Sequence, residues 1–199
     1  GSAVGAVFAG DLVTLFFYWE GTAIASVFLI WARRTEAAYH TGLRYLIIQI
    51  TSGVILLAGT ALLFRESGSI AFQTMTLGSL GTWLIFLSFG MKCAFPLLHN
   101  WLQDSYPAAT VTGTVILSAF TTKLAVYALA RGFAGTEILI YIGAVMTLFV
   151  STMTENFGAA EDGTAETRRA QRPIRRSWNL EFGIWNFIKR PRLKGCRLR

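Results

Sequence analysis

This sequence of 199 residues is poor in charge, cysteine and histidine. Asp, Glu, Lys and Arg make up only 15% of it, against roughly 25% in a soluble domain. An ordinary soluble fold is therefore disfavoured. Cys93 and Cys196 are the two cysteines, and they share no CxxC spacing. A disulfide framework and a cysteine zinc site are excluded. His40 and His99 are the two histidines, which leaves no metal cluster and makes a bis-histidine haem a weak option. No Gly-rich nucleotide loop, catalytic-triad spacing or haem ligand pair is visible, and no internal repeat. Thus no cofactor and no metal is expected.

Apolar residues are what the chain has in excess. They make up 53% of it, with a mean hydropathy of +0.49, which excludes disorder, collagen and coiled coil. The charge is unevenly placed. Residues 1–150 hold 7 basic and 6 acidic residues, whereas 151–199 hold 11 basic and 5 acidic ones. The net charge of +7 and the pI near 9.9 thus describe a short tail. They give no reason to expect a nucleic-acid partner.

The body divides into apolar segments of bilayer length. Leu12 to Trp31 has Glu20 as its one charge. Its length, about 30 Å at 1.5 Å per residue, matches a bilayer core. Gly42 to Phe64, Leu80 to Leu98 with Lys92, Ala108 to Ala130 with Lys123, and a shorter Thr136 to Val150 complete five expected spans. None shows strand-like alternation or a soluble helix's polar stripe. The expected fold is all-α: a polytopic membrane helix bundle of about five transmembrane helices over 1–150. Arg33, Arg34 and Arg44 beside the first spans, together with the basic tail, place that side in the cytoplasm.

From about Thr152 the apolar pattern stops. Residues 151–199 form a polar, basic tail that reads as disordered, as an out-of-frame extension, or as a basic aromatic segment lying on anionic lipid.

Charges inside the spans carry the functional argument. Each costs at least ~2.5–3.5 kcal/mol at a span centre, so a chain keeps it for an ion path or for pairing. Burial disfavours a lysine's charged form, and a nearby carboxylate favours it. A lysine whose carboxylate can move is therefore a protonation switch, although a static pair that fixes helix packing uses the same residues. Pro96, four residues after Lys92, breaks the third span, and His99 follows it. Interrupted helices of this kind sit at ion sites in transporters. His99 is a titratable candidate or a capping residue, and His40 reads as surface. Trp19, Trp83 and Trp101 read as packing or interface residues. Ser52-Gly53, Gly59-Thr60 and Thr112-Gly113-Thr114 read as small residues that let helices approach.

The stretches GDLVTLFFYWEGTAIASVFLIW and GMKCAFPLLHNWLQDSYPAATVTGTVILSAFTTKLAVYALARGF resemble the antiporter-like membrane subunits. Mrp-type cation/proton antiporters and the proton-pumping arm of respiratory complex I share these subunits, and the wording WLQDSYPAATVTGT is closer to the Mrp D-subunit branch. The resemblance covers residues 1 to about 149. It implies a fold of about fourteen helices with two inverted repeats, of which this chain holds the end of helix 4 through helix 9. It implies that Glu20 is the acidic residue biasing the charge of Lys92. His99 falls in the broken-helix motif, and Lys123 links to a second half-channel. Two departures stand out. Gln103 replaces a usual proline, and no second repeat follows Leu148-Phe149. A truncated or frameshifted gene, or an incomplete gene model, would give that second departure.

The expected function is translocation of protons and Na⁺ or another monovalent cation, by a non-enzymatic subunit in a bacterial inner membrane. Its partners would be other membrane subunits of a hetero-oligomer and the lipid bilayer. The alternatives are a membrane-arm subunit of a quinone or hydrogen oxidoreductase, and a non-functional remnant.

Overall fold

A computed structural model describes residues 1–148, which are helical apart from short connections and one isolated bridge, Asp11 with Ala71. The basic tail at 151–199 and the end of the fifth expected span lie outside the described residues. Residues Gly1–Met146 form one compact unit.

A short α1, Ser2–Val7, precedes α2, Leu12–Trp31. The start of α2 is fixed by Asp11, whose carboxylate accepts from the Thr14 amide and hydroxyl, both at 2.7 Å. The Thr14 amide, then its hydroxyl, hold that carboxyl below the usual carboxylate range. Helix α3, Glu36–Ser67, is longer than the expected Gly42–Phe64 because of its ends. Thr35 caps the first turn through the Ala38 amide at 3.2 Å. Gly68 closes the last turn at φ 68, in the left-handed region glycine adopts freely.

The third expected span is interrupted earlier than Pro96. Helix α4 is Leu80–Cys93, opened by a reciprocal Ser79–Thr82 capping box. Its end is a left-handed cap at Ala94, φ 62, whose amide bonds back to the Gly90 and Met91 carbonyls. The Phe95 amide also reaches the Gly90 carbonyl at 2.9 Å. The Phe95 ring folds over Gly90 so closely that a Cβ there would lie 2.4 Å from it. Pro96 then serves the next turn, which the Leu98 amide closes on the Phe95 carbonyl at 2.8 Å. Leu97 sits in that turn at φ 72, a position where glycine is usual. Two non-glycine residues in left-handed backbone within four positions mark this break as strained.

After the break come α5, Asn100–Ala108, and α6, Val111–Ile116. A π turn at Leu117–Thr121 leads into α7, Thr122–Gly132. The rod from Val111 to Gly132 starts later than the expected Ala108 because Thr110 caps it through the Gly113 amide at 3.2 Å. A further apolar helical stretch is Ile138–Leu148. Among the described residues, three helices are long and apolar enough to cross a membrane: Leu12–Trp31, Glu36–Ser67 and Val111–Gly132.

Helix α3 packs against both α2 and α4. Small residues permit this: a Cβ at Gly59 would lie 2.9 Å from the Gly81 carbonyl, and one at Gly81 would lie 2.8 Å from the Leu63 amide nitrogen. One core cluster joins Leu12, Leu15, Trp19, Leu56, Ile85, Phe89 and Phe133. A second joins Val27, Ile30, Tyr45, Trp101 and Leu117. At one end, Arg131 donates to the Ala9 carbonyl at 2.8 Å and lies over the Phe72 ring. At the other, Arg33 donates to the Pro107 carbonyl, and Arg44 lies 4.0 Å from Asp104.

Candidate charged centre in the helix bundle

Lys92 lies in the last turn of α4, one residue before that helix stops. It is fully buried, 0% exposed. Its Nζ donates to the Trp19 carbonyl at 2.7 Å and sits 4.2 Å from the centroid of the Trp19 ring. A charged hydrogen bond contributes about 1.5–3 kcal/mol and a desolvated cation–π contact about 2, so the two offset much of the cost of burying an ammonium. Trp19 is itself held: its indole donates to Ser52 Oγ at 3.0 Å. Ser52 and Ser88 in turn bond each other's backbone across the α3–α4 crossing, with Ser88 Oγ donating to the Ser52 carbonyl at 2.7 Å.

Glu20 follows Trp19 on α2, so the carbonyl that Lys92 binds belongs to the peptide that ends at Glu20's nitrogen. The two charges act on each other. They do not meet as an ion pair within 4.0 Å. Glu20 is half-buried, and its Oε1 has no hydrogen-bond partner. The carboxylate instead lies against Gly53 on α3, where a Cβ would be 1.5 Å from Oε1. The small pair Ser52-Gly53 thus receives two neighbouring residues of α2: Ser52 takes the Trp19 indole, and Gly53 gives room to the Glu20 carboxylate. A loosely held carboxylate beside a firmly held ammonium can move relative to it without breaking a bond.

The other candidates lie outside this pair. His99 occupies the position before α5 and is half-buried. Lys123 is exposed, on the side of α7 that also exposes Val126, two positions after the π turn. It is still close enough to act on the Cys93 thiol, the residue after Lys92. A π turn rotates the residues beyond it relative to a regular helix, so it sets which way Lys123 faces. His40 is exposed beside Tyr39. Trp19 and Trp101 are buried while Trp83 is half exposed, so the three tryptophans differ in environment. Among the described residues, no group of three or more His, Cys, Asp and Glu gathers that could hold a metal ion.

Several residues at this centre escape a search for charges in spans. Ser52, Ser88 and Gln49 are neutral, and all three are fully or almost fully buried, with Ser52 and Ser88 on the facing sides of α3 and α4. The signal that could find Gln49 is plain afterwards: it is a side-chain amide in the middle of an apolar run. Ser52 and Ser88 carry none, because serines are common in helices that pack closely.

The sequence model described as "NADH:quinone oxidoreductase/Mrp antiporter, TM" matches residues 9–160. The chain is 29% identical over 168 residues to the Na(+)/H(+) antiporter D-subunit of Bacillus subtilis, covering 77% of this chain and 34% of that protein. It is 29% identical over 119 residues to Hydrogenase-4 component B of Escherichia coli, covering 56% of this chain and 18% of that one. The chain therefore spans about a third or less of the length of these curated relatives. Among solved structures it superposes on a chain of the Mrp complex from Dietzia sp. DQ12-45-1b with a TM-score of 0.64. That match has 24% identity and covers 72% of this chain and 30% of the other. A chain of the membrane-bound sulfane sulfur reductase, an archaeal respiratory membrane complex, gives a TM-score of 0.63 at 26% identity, with 72% and 34% covered.

Proposed function

The chain belongs to the NADH:quinone oxidoreductase/Mrp antiporter transmembrane family, and from that premise we propose that it is part of a subunit that exchanges protons for Na⁺ or another monovalent cation across a bacterial plasma membrane. The observation that supports this best is the buried Lys92 ammonium, anchored on the peptide before Glu20 while the Glu20 carboxylate stays unbonded. In this reading, Glu20 near Lys92 favours the charged amine, and Glu20 displaced favours release of its proton. The strained break after Cys93 lets the end of α4 respond to that change without unwinding the whole helix. Lys123, on the outward side of α7, receives the charge for a further helix packed there, since a lysine facing lipid costs at least ~2.5 kcal/mol. His99, at the start of α5, serves as a further proton group on the path. The partners are other membrane subunits of a hetero-oligomer.

A redox complex is the second reading, favoured by relatives such as Hydrogenase-4 component B. The two separate in one experiment on the assembled complex. Inverted vesicles are loaded with a pH gradient and given NaCl with no redox donor. Collapse of the gradient on adding Na⁺ is the expected result. A gradient that responds only to an electron donor assigns the chain to a redox-driven complex instead.

A further inference from the structure

Helices α2 and α3 run antiparallel, and their cross-links give a register. Trp19 bonds Ser52, Glu20 faces Gly53, and Ser26 Oγ lies 2.6 Å from the Tyr45 hydroxyl. Gln49 stands four residues from Tyr45 and four from Gly53, on the same side of α3. It therefore lies one helical turn, about 6 Å, from the level of each. Its side chain is 0% exposed, and neither Oε1 nor Nε2 has a hydrogen-bond partner. The Glu20 Oε1 on the next level has none either. Two neighbouring levels of one interface thus hold unpaired polar atoms. Leaving such a group unpaired costs about 1–3 kcal/mol, more for a charged one.

The amide decides what fills this place. Its Oε1 accepts and its Nε2 donates, so the ligand that satisfies both must donate and accept. Water does both. A bare monovalent cation would serve Oε1 and Glu20 but would face the amide's own N–H groups. We propose that Gln49 is the binding residue for internal water that links the Glu20 carboxylate to the Ser26–Tyr45 pair. This rests on the transport reading only for its use, as the proton path toward the break. Beyond Tyr45, Thr121 of the π turn is the next hydroxyl, near enough to act on the Tyr45 phenol. A proton arriving from the Tyr45 side joins the water, which passes a proton of its own to Glu20, so the water is regenerated at each step.

Radiolytic hydroxyl labelling of the assembled complex tests this, because radicals formed at bound water oxidise adjacent buried rings. Tyr45 is 1% exposed, so bulk solvent does not account for its labelling. Tyr45 is expected to label in the native protein, several-fold less in Gln49→Leu, and to an intermediate degree in Gln49→Asn. Exposed Tyr39 serves as the constant reference. Leucine matches glutamine in volume and asks for no hydrogen bond, so the variant folds; if it does not, Gln49→Asn carries the comparison. Proton flux is expected to fall several-fold in Gln49→Leu. Tyr45 labelling unchanged by Gln49→Leu overturns the water site, whatever the flux. Labelling lost with flux intact, while Glu20→Gln is inactive, overturns the path. Normal flux in both variants with labelling lost overturns the transport reading of Glu20 and leaves the water site standing.

Discussion

Replacing Lys92 by alanine is expected to lower cation/proton exchange by about 10²-fold or more, the range that a lost proton-transfer group produces. No other amine or carboxylate lies on α4, and the position of this amine is set from three sides. It has the Trp19 carbonyl, the Trp19 ring and the Glu20 charge around it. Removing it empties all three. Lys92→Met keeps the length and the packing of the stem, so it separates the charge from the volume. It is expected to assemble as the native protein does and to exchange as poorly as Lys92→Ala. Lys92→Arg is expected to fail too, for a different reason. Arginine keeps its proton at every relevant pH, so a charge is present but cannot be released. Flux in inverted vesicles with the amount of assembled protein as control is the measurement. Exchange near the native rate in Lys92→Met would mean that the amine does not carry the proton.

The second large effect is expected from a residue with no titratable group. Gly53→Leu, and even Gly53→Ala, puts a Cβ where the Glu20 carboxylate now lies, 1.5 Å from Oε1 and 2.6 Å from Cδ. The obstacle is the end of a flexible side chain, so the helices need not separate. The carboxylate turns away, and both charges remain in the protein at the wrong spacing. Misplacing a reacting group by about 1 Å can cost on the order of 10²-fold in rate, and a loss of that order is expected for Gly53→Leu. The alanine variant is the cleaner of the two. Combining Gly53→Ala with Glu20→Asp is expected to restore part of the exchange, because the shorter acid fits beside the new methyl group. Thermal melting in detergent should show both proteins assembled. If Gly53→Ala exchanges normally, the position of Glu20 against α3 has no bearing on transport.

Three of the five expected apolar segments recur among the described residues as helices of membrane-crossing length, and they were legible in the sequence because lipid-length runs with isolated charges need no tertiary information. Glu20 and Lys92 were legible for the same reason: a charge in such a run is conspicuous on its own. Their arrangement was not. The Trp19 carbonyl as the acceptor for Lys92 depends on where α4 stops, and α4 stops at Cys93 through a left-handed Ala94. A proline at position 96 predicts a break, whereas the residue that ends the helix follows from the backbone bonds around Gly90. The ends of α3 were missed by several residues because Thr35 and Gly68, which set them, lie in polar sequence outside the apolar run. The direction of Lys123 was hidden too, since a π turn changes the facing of every later residue and leaves no sequence mark. Gln49, Ser52 and Ser88 carry no charge, and only the packing shows them to be buried.

The central claim is that the Glu20 carboxylate governs the charge held on Lys92. Glu20→Gln tests it most directly, because it removes the charge and keeps the size and the place beside Gly53. Proton flux driven by a cation gradient in inverted vesicles, normalised to assembled protein, is expected to fall as far in Glu20→Gln as in Lys92→Met, while Glu20→Asp retains a fraction. Native flux in Glu20→Gln would show that the two residues only pack the bundle, and the coupling described here would be wrong.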